Sequence, residues 1–114
     1  MTKREAFERE LAEFYEVVVL VMPAPGIDVP AQSWVTSTLR DGVTQRAAPV
    51  HYMFLRYGLD MPKPIPDLEI TDEGIRATLS FSNTPIKTFV PWDAVAGIQG
   101  DGERPRQRAQ LRSV

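Results

Sequence analysis

Apolar residues fall at Phe7, Leu11, Phe14 and Tyr15 near the start of the chain, with glutamates and arginines filling the gaps. Positions i, i+4, i+7 and i+8 share one face of a helix, so the spacing predicts a helix over residues 3–15. Thr2-Lys3-Arg4-Glu5 fits a capping box at its start, a hydroxyl and a carboxylate satisfying the first free amides. The apolar stripe can pack on the body of the domain or pair with a second subunit; periodicity allows both. The pattern then changes. Val17 to Met22 is continuous and β-branched, which predicts a strand buried on both faces. "PAPGID" breaks it, Ile27-Asp28-Val29 is a short extended piece, and Arg40-Asp41-Gly42 signals a further turn. Val50 to Tyr57 alternates imperfectly, as a longer strand. Pro62, Pro64 and Pro66 at alternate positions favour an extended, polyproline-like loop.

The clearest alternation follows. Ile75, Ala77, Leu79 and Phe81 point one way, and Arg76, Thr78 and Ser80 the other. With Leu68-Glu69-Ile70 and the turn "TDEG" before it, this predicts a hairpin with one buried face. "SNTP" turns the chain again, Ile86 to Val90 is another strand, and Pro91 leads into a short helical turn, "WDAVAGI". The fold class expected is mainly β, of the α+β kind. One N-terminal helix precedes five or six short strands in a small, strongly bent antiparallel sheet or partly open barrel.

Composition narrows this picture. With 114 residues, 43% hydrophobic and 25% charged, the chain suits one globular domain with one core. No apolar run approaches the roughly 20 residues of a membrane span. "MTKREAFERE" lacks the apolar segment of a signal peptide, so a cytoplasmic location is expected. The absence of cysteine removes disulfides, thiolate catalysis and cysteine metal sites together. The net charge is −2, unevenly spread. Residues 100–114 carry Arg104, Arg106, Arg108 and Arg112 against Asp101 and Glu103, so a basic tail follows an acidic body of residues 1–99.

Candidate chemistry is sparse. His51 is the single histidine and has no matched base or nucleophile. Asp72-Glu73 belong to a turn and are explained by turn chemistry. The glycines are scattered and form no phosphate loop. Trp34 and Trp92 fit partial core burial. No catalysis, metal or cofactor is therefore expected. Tyr52, Phe54, Arg56 and Tyr57 could stack single-stranded RNA, as in small Sm-like barrels, but few other cations lie near them, so nucleic-acid binding is the secondary reading. An unsealed small barrel can instead take a peptide as an added strand or in an apolar groove.

The stretch "DLEITDEGIRATLSFSNTPIKTFVPWDAVAGI", residues 67–98, resembles the core of the stringent starvation protein B (SspB) family, adaptors that deliver tagged proteins to the ClpXP protease. The matching order is an acidic hairpin turn, a strand ending in a Ser-Phe pair, a tight turn, an apolar strand, a Pro and a short helix. "APGIDVP" at 24–30 and the N-terminal helix are similar in place. The resemblance covers residues 4–98. It implies an Sm-like or SH3-like barrel and a non-enzymatic function. The implied ligand is an ssrA-type degradation tag or a related degron, held by Ser80, Phe81, Ser82, Asn83, Thr84, Ile86 and Phe89. It implies a homodimer built on the N-terminal helix, with Phe7, Leu11 and Phe14 at the interface. The end of the chain, "AQLRSV", is similar to the family's tail motif, which implies that Leu111, Arg112, Ser113 and Val114 dock on the zinc-binding N-terminal domain of ClpX. Three features depart from the family. Ser82-Asn83 stand where it has Gly-Gly, the proline-rich loop looks like an insertion, and the tail is short. A linker of 11 residues, 100–110, spans roughly 17–20 Å.

Overall fold

A computed structural model describes residues 1–40, 42–43, 47–58, 65 and 67–103, without the side chains of Leu39, Arg40 and Glu103. Asp41 of the expected turn, the three alternating prolines and the docking motif Leu111–Val114 lie outside the described residues. The elements are helix α1 (Lys3–Glu13) and strands β1 (Phe14–Val21), β2 (Val35–Arg40), β3 (Ala47–Tyr57), β4 (Glu69–Ile70), β5 (Gly74–Phe81), β6 (Thr84–Pro91) and β7 (Val95–Glu103). Short 3-10 turns at Ala31–Ser33 and Trp92–Ala94 complete them. Among the described residues no helix is long and apolar enough to cross a membrane.

The capping box forms: the Thr2 hydroxyl accepts from the Glu5 amide, and the Glu5 carboxylate accepts from the Thr2 amide. The helix is two residues shorter than the stripe predicts. Phe14 takes extended backbone, φ −116° and ψ 157°, because β1 already begins to pair there with the end of β7.

The strands make two antiparallel sheets, ordered β2-β3-β1-β7 and β4-β5-β6. The chain is thus mostly β with one N-terminal helix, the α+β class expected, and its two sheets are not closed into a barrel. The chain crosses between sheets at the 3-10 turn after β6. There the Met22 amide donates to the Ala94 carbonyl, and the Trp92 indole donates to the Thr71 carbonyl at 2.8 Å. A single bridge between Asp28 and Phe89 joins the "PAPGID" connection to the second sheet.

The core lies between the sheets. Val17, Val19, Val21, Met53, Leu55, Tyr57 and Val95 line one side, and Ile75, Ala77, Leu79 and Val90 the other. Phe7 and Leu11 enter from α1. The Phe7 ring stands edge-on to Tyr57 at 5.3 Å. β1 is therefore buried on one face and only half-buried on the other, unlike the doubly buried strand its sequence suggests.

"WDAVAGI" is the clearest difference from the sequence pattern. Only Trp92–Ala94 turn, and Val95 onward is strand. The edge of β1 is open at that point, and pairing with it outweighs a weak local helical preference in a segment containing Gly97. β7 runs on to Glu103, opposite Phe14, so residues 100–103 belong to the sheet rather than to a tail beginning at residue 100.

Candidate functional site

The β5–β6 hairpin is built by alternation and by its two turns. Thr71 shapes the first: its hydroxyl accepts from the amides of Glu73 and Gly74. Gly74 is required there, because a Cβ would collide with the Val90 carbonyl. The second turn is Ser82-Asn83, with φ of +52° and +66°. Two left-handed residues make the tight connection that matches strand twist.

Register then sorts the residues by face. Ile75↔Val90, Ala77↔Thr88, Leu79↔Ile86 and Phe81↔Thr84 pair on the core-facing side, while Arg76↔Phe89, Thr78↔Lys87 and Ser80↔Pro85 pair on the other. The seven expected peptide-contacting residues therefore do not form one surface. Phe81, Thr84 and Ile86 come together at the hairpin tip, where the core-facing side passes from buried Leu79 to half-buried Phe81 and Ile86. Ser80 and Phe89 lie on the opposite face, and Ser82 and Asn83 form the exposed tip between them.

Main-chain groups complete this end of the hairpin. Phe89 exchanges both its backbone hydrogen bonds with Asp28, at 2.8 and 3.0 Å. By alternation the Lys87 amide and carbonyl, and the Pro85 carbonyl, project from the same edge of β6. On the far side, β4 covers β5 only at Ile75 and Arg76. Beyond it Asp67 imitates a strand: its carboxylate accepts from the Thr78 amide at 2.9 Å and from the Thr78 hydroxyl at 2.6 Å. These bonds hold the Asp67 carboxyl below its ordinary pKa. Sequence reading passed over Arg76, whose guanidinium lies 4.5 Å over the Phe89 ring, and Lys87 beside it. The two-residue alternation running back from Phe89 is the signal that places Lys87 on this face.

The other expected residues are dispersed. Phe7 and Leu11 are buried inside the chain's own core, so they are not available as an outer helix face for a second subunit. Phe14 is half-buried with its ring over Gly100. His51 shares a 2.9 Å hydrogen bond with the Thr36 hydroxyl. Tyr52, Phe54 and Arg56 lie on the outward face of β3, but Tyr57 points to the core, and Arg56 is ion-paired with Glu16 and lies 3.6 Å from Asp101. The cation needed for an RNA backbone at this patch is thus held by two carboxylates.

No protein-family model and no curated protein matches the chain.

Proposed function

We propose that the protein is a peptide-binding adaptor with an SspB-like fold, which holds a C-terminal degradation tag of the ssrA type, or a related degron, and tethers it to ClpX. The observation that carries this reading is the tip of the β5–β6 hairpin. Apolar Phe81 and Ile86 are half-buried beside a β6 edge whose main-chain groups at Lys87 and Pro85 face outward. Such an edge gives an extended peptide backbone hydrogen bonds, and the adjacent apolar side chains give it pockets. The succession of elements over residues 67–91 follows the order that suggested the resemblance, acidic turn, strand, tight turn, strand, proline, while the short helix expected after it is only a 3-10 turn at Trp92–Ala94 followed by strand. In this reading Leu111–Val114 contact the ClpX N-terminal domain, and linkage raises the effective concentration of cargo at the unfoldase. No cofactor takes part.

The test is a pair of titrations. Fluorescent peptides ending in an ssrA-type tag are titrated with the full protein. The ClpX N-terminal domain is titrated with the same protein and with a version lacking residues 109–114. The expected results are micromolar or tighter binding in both experiments, a loss of peptide affinity in Ile86→Glu, and a loss of ClpX binding on truncation. Tail binding without tag binding redirects the adaptor to another cargo; silence in both experiments rejects the reading.

A further inference from the structure

Two aspartates close the outer edges of the β5–β6 hairpin, each in a different way. Asp28 closes β6 with its main chain, exchanging both backbone hydrogen bonds with Phe89. Phe89 therefore turns its main-chain groups away from β5, and its cross-strand partner Arg76 turns its own towards β4. By alternation Thr78 and Ser80 present theirs on the same edge of β5 as Arg76. β4 pairs Glu69 with Arg76 and Ile70 with Ile75, and goes no further. Continued by two residues, that register sets Asp67 opposite Thr78. The main chain has left the ladder there, since Asp67 lies in a turn. Its carboxylate takes the place of the missing strand. One oxygen accepts from the Thr78 amide at 2.9 Å and the other from the Thr78 hydroxyl at 2.6 Å. Beyond it, among the described residues, the Ser80 main chain has no backbone partner on that side.

Unpaired edges are templates for strands of other chains. The two edges of this hairpin differ as templates. On β6 the outward-facing positions beyond Phe89 are Lys87 and Pro85, and Pro85 has no amide to offer. On β5 they are Thr78 and Ser80, each with an amide and a carbonyl, in line with the pairing already begun at Arg76. An incoming strand would find an unbroken ladder on β5, and Asp67 occupies its first free rung.

We propose that Asp67 is a seal that denies the β5 edge to strands of other chains. A strand adding in register with Arg76 has to displace the carboxylate from both Thr78 bonds. Those bonds, and Lys87 across the hairpin from Thr78, hold the carboxyl below its ordinary pKa, so it stays ionised. An ionised carboxylate only accepts: it satisfies the Thr78 amide and offers no donor to a further strand. The seal lies on the β5 edge and is independent of peptide binding at the β6 edge.

Amide hydrogen exchange, read residue by residue, gives the first test. In the wild type the Thr78 amide should be protected and the Ser80 amide close to free exchange. Asp67→Ala should speed Thr78 at least tenfold and leave Ala77 and Leu79, which bond to β6, unchanged. Sedimentation equilibrium gives the second. At about 200 µM, Asp67→Ala should exceed the wild type in weight-average mass, through pairing of β5 edges. Adding Ser80→Pro should restore the wild-type value, because proline removes the next donor without taking a bond from the hairpin. Far-ultraviolet circular dichroism checks that each variant is folded. If Asp67→Ala does not fold, Asp67→Asn takes its place. It keeps an oxygen for the Thr78 amide and loses the charge, and Ser80→Pro should again reverse its association. Equal exchange at Thr78 and Ser80 in the wild type overturns the proposal. So does a position-67 variant that associates no more than the wild type, or one whose association Ser80→Pro leaves in place; Asp67 would then only anchor the approach to β4.

Discussion

Ser82 and Tyr57 are two residues whose chemistry and setting disagree, and both give measurable consequences. Ser82 holds φ +52° and Asn83 φ +66°. Asparagine tolerates the left-handed region better than serine, whose Cβ crowds the following carbonyl. Ser82→Gly relieves that crowding at the expense of chain entropy, for a net gain of about 0.5 kcal/mol and a rise of a few degrees in Tm. Asn83→Gly should gain less; thermal melts giving the reverse order would show that the turn is not strained at Ser82. Tyr57 is fully buried, and among the described residues its hydroxyl has no hydrogen-bond partner. Removing an unsatisfied buried hydroxyl is neutral or favourable, so Tyr57→Phe should hold stability within about 1 kcal/mol of wild type or raise it. Burial also pushes the Tyr57 pKa above its ordinary value. The unfolded chain loses this proton first, so its contribution is intact below about pH 10 and declines as pH rises beyond that. Urea melts between about pH 8 and about pH 11 should show a shallower alkaline decline in Tyr57→Phe. The turn at 82–83 is legible in the sequence from its polar residues between two alternating runs. The orphaned hydroxyl is not, because it depends on what α1 brings against the ring.

At the scale of elements, alternation carries most of the information. β5 is strict in sequence and strict in structure: Ile75, Ala77 and Leu79 are buried and Arg76 is exposed. It cannot say which end of the buried face opens, since that depends on where the opposing sheet stops, so the seven proposed peptide contacts divide between two faces. β7 is harder to read. Val95, Gly97 and Ile98 have no clean period, and a bulge between Leu20 and Val21 shifts their pairing. Gly100 exposes the constraint that holds this strand. A Cβ there would enter the Phe14 ring, and Phe14 is the residue at which α1 gives way to β1. Gly100→Ala should destabilise the protein by about 1–3 kcal/mol through overpacking. The same change made in Phe14→Ala should be nearly silent, because the obstructing ring is gone. A double-mutant cycle by urea denaturation measures that coupling, and additive effects would place the Gly100 constraint elsewhere.

For the whole molecule, the question is where the folded body ends. Composition puts the boundary at residue 99, where glycine and charge take over. Composition misleads at this point because an edge strand needs backbone pairing more than apolar side chains. Gly100 and Asp101 pair with Val17 and Glu16, and Glu103 with Phe14. Asp101 also lies 3.6 Å from Arg56, completing the ionic cluster at the end of the outward face. Cutting the chain after Gln99 therefore removes the cover over Phe14 and leaves one edge of β1 unpaired over several residues. Cutting after Glu103 keeps every one of these contacts. The shorter fragment should melt several degrees below the longer one, since exposed main-chain groups and lost packing each cost on the order of 1 kcal/mol. Equal melting temperatures for the two fragments would restore the boundary at residue 99 and reduce residues 100–103 to an appendage. Lower stability in the shorter fragment would make the last strand, through Glu103, part of the scaffold that holds β1 and the core in place.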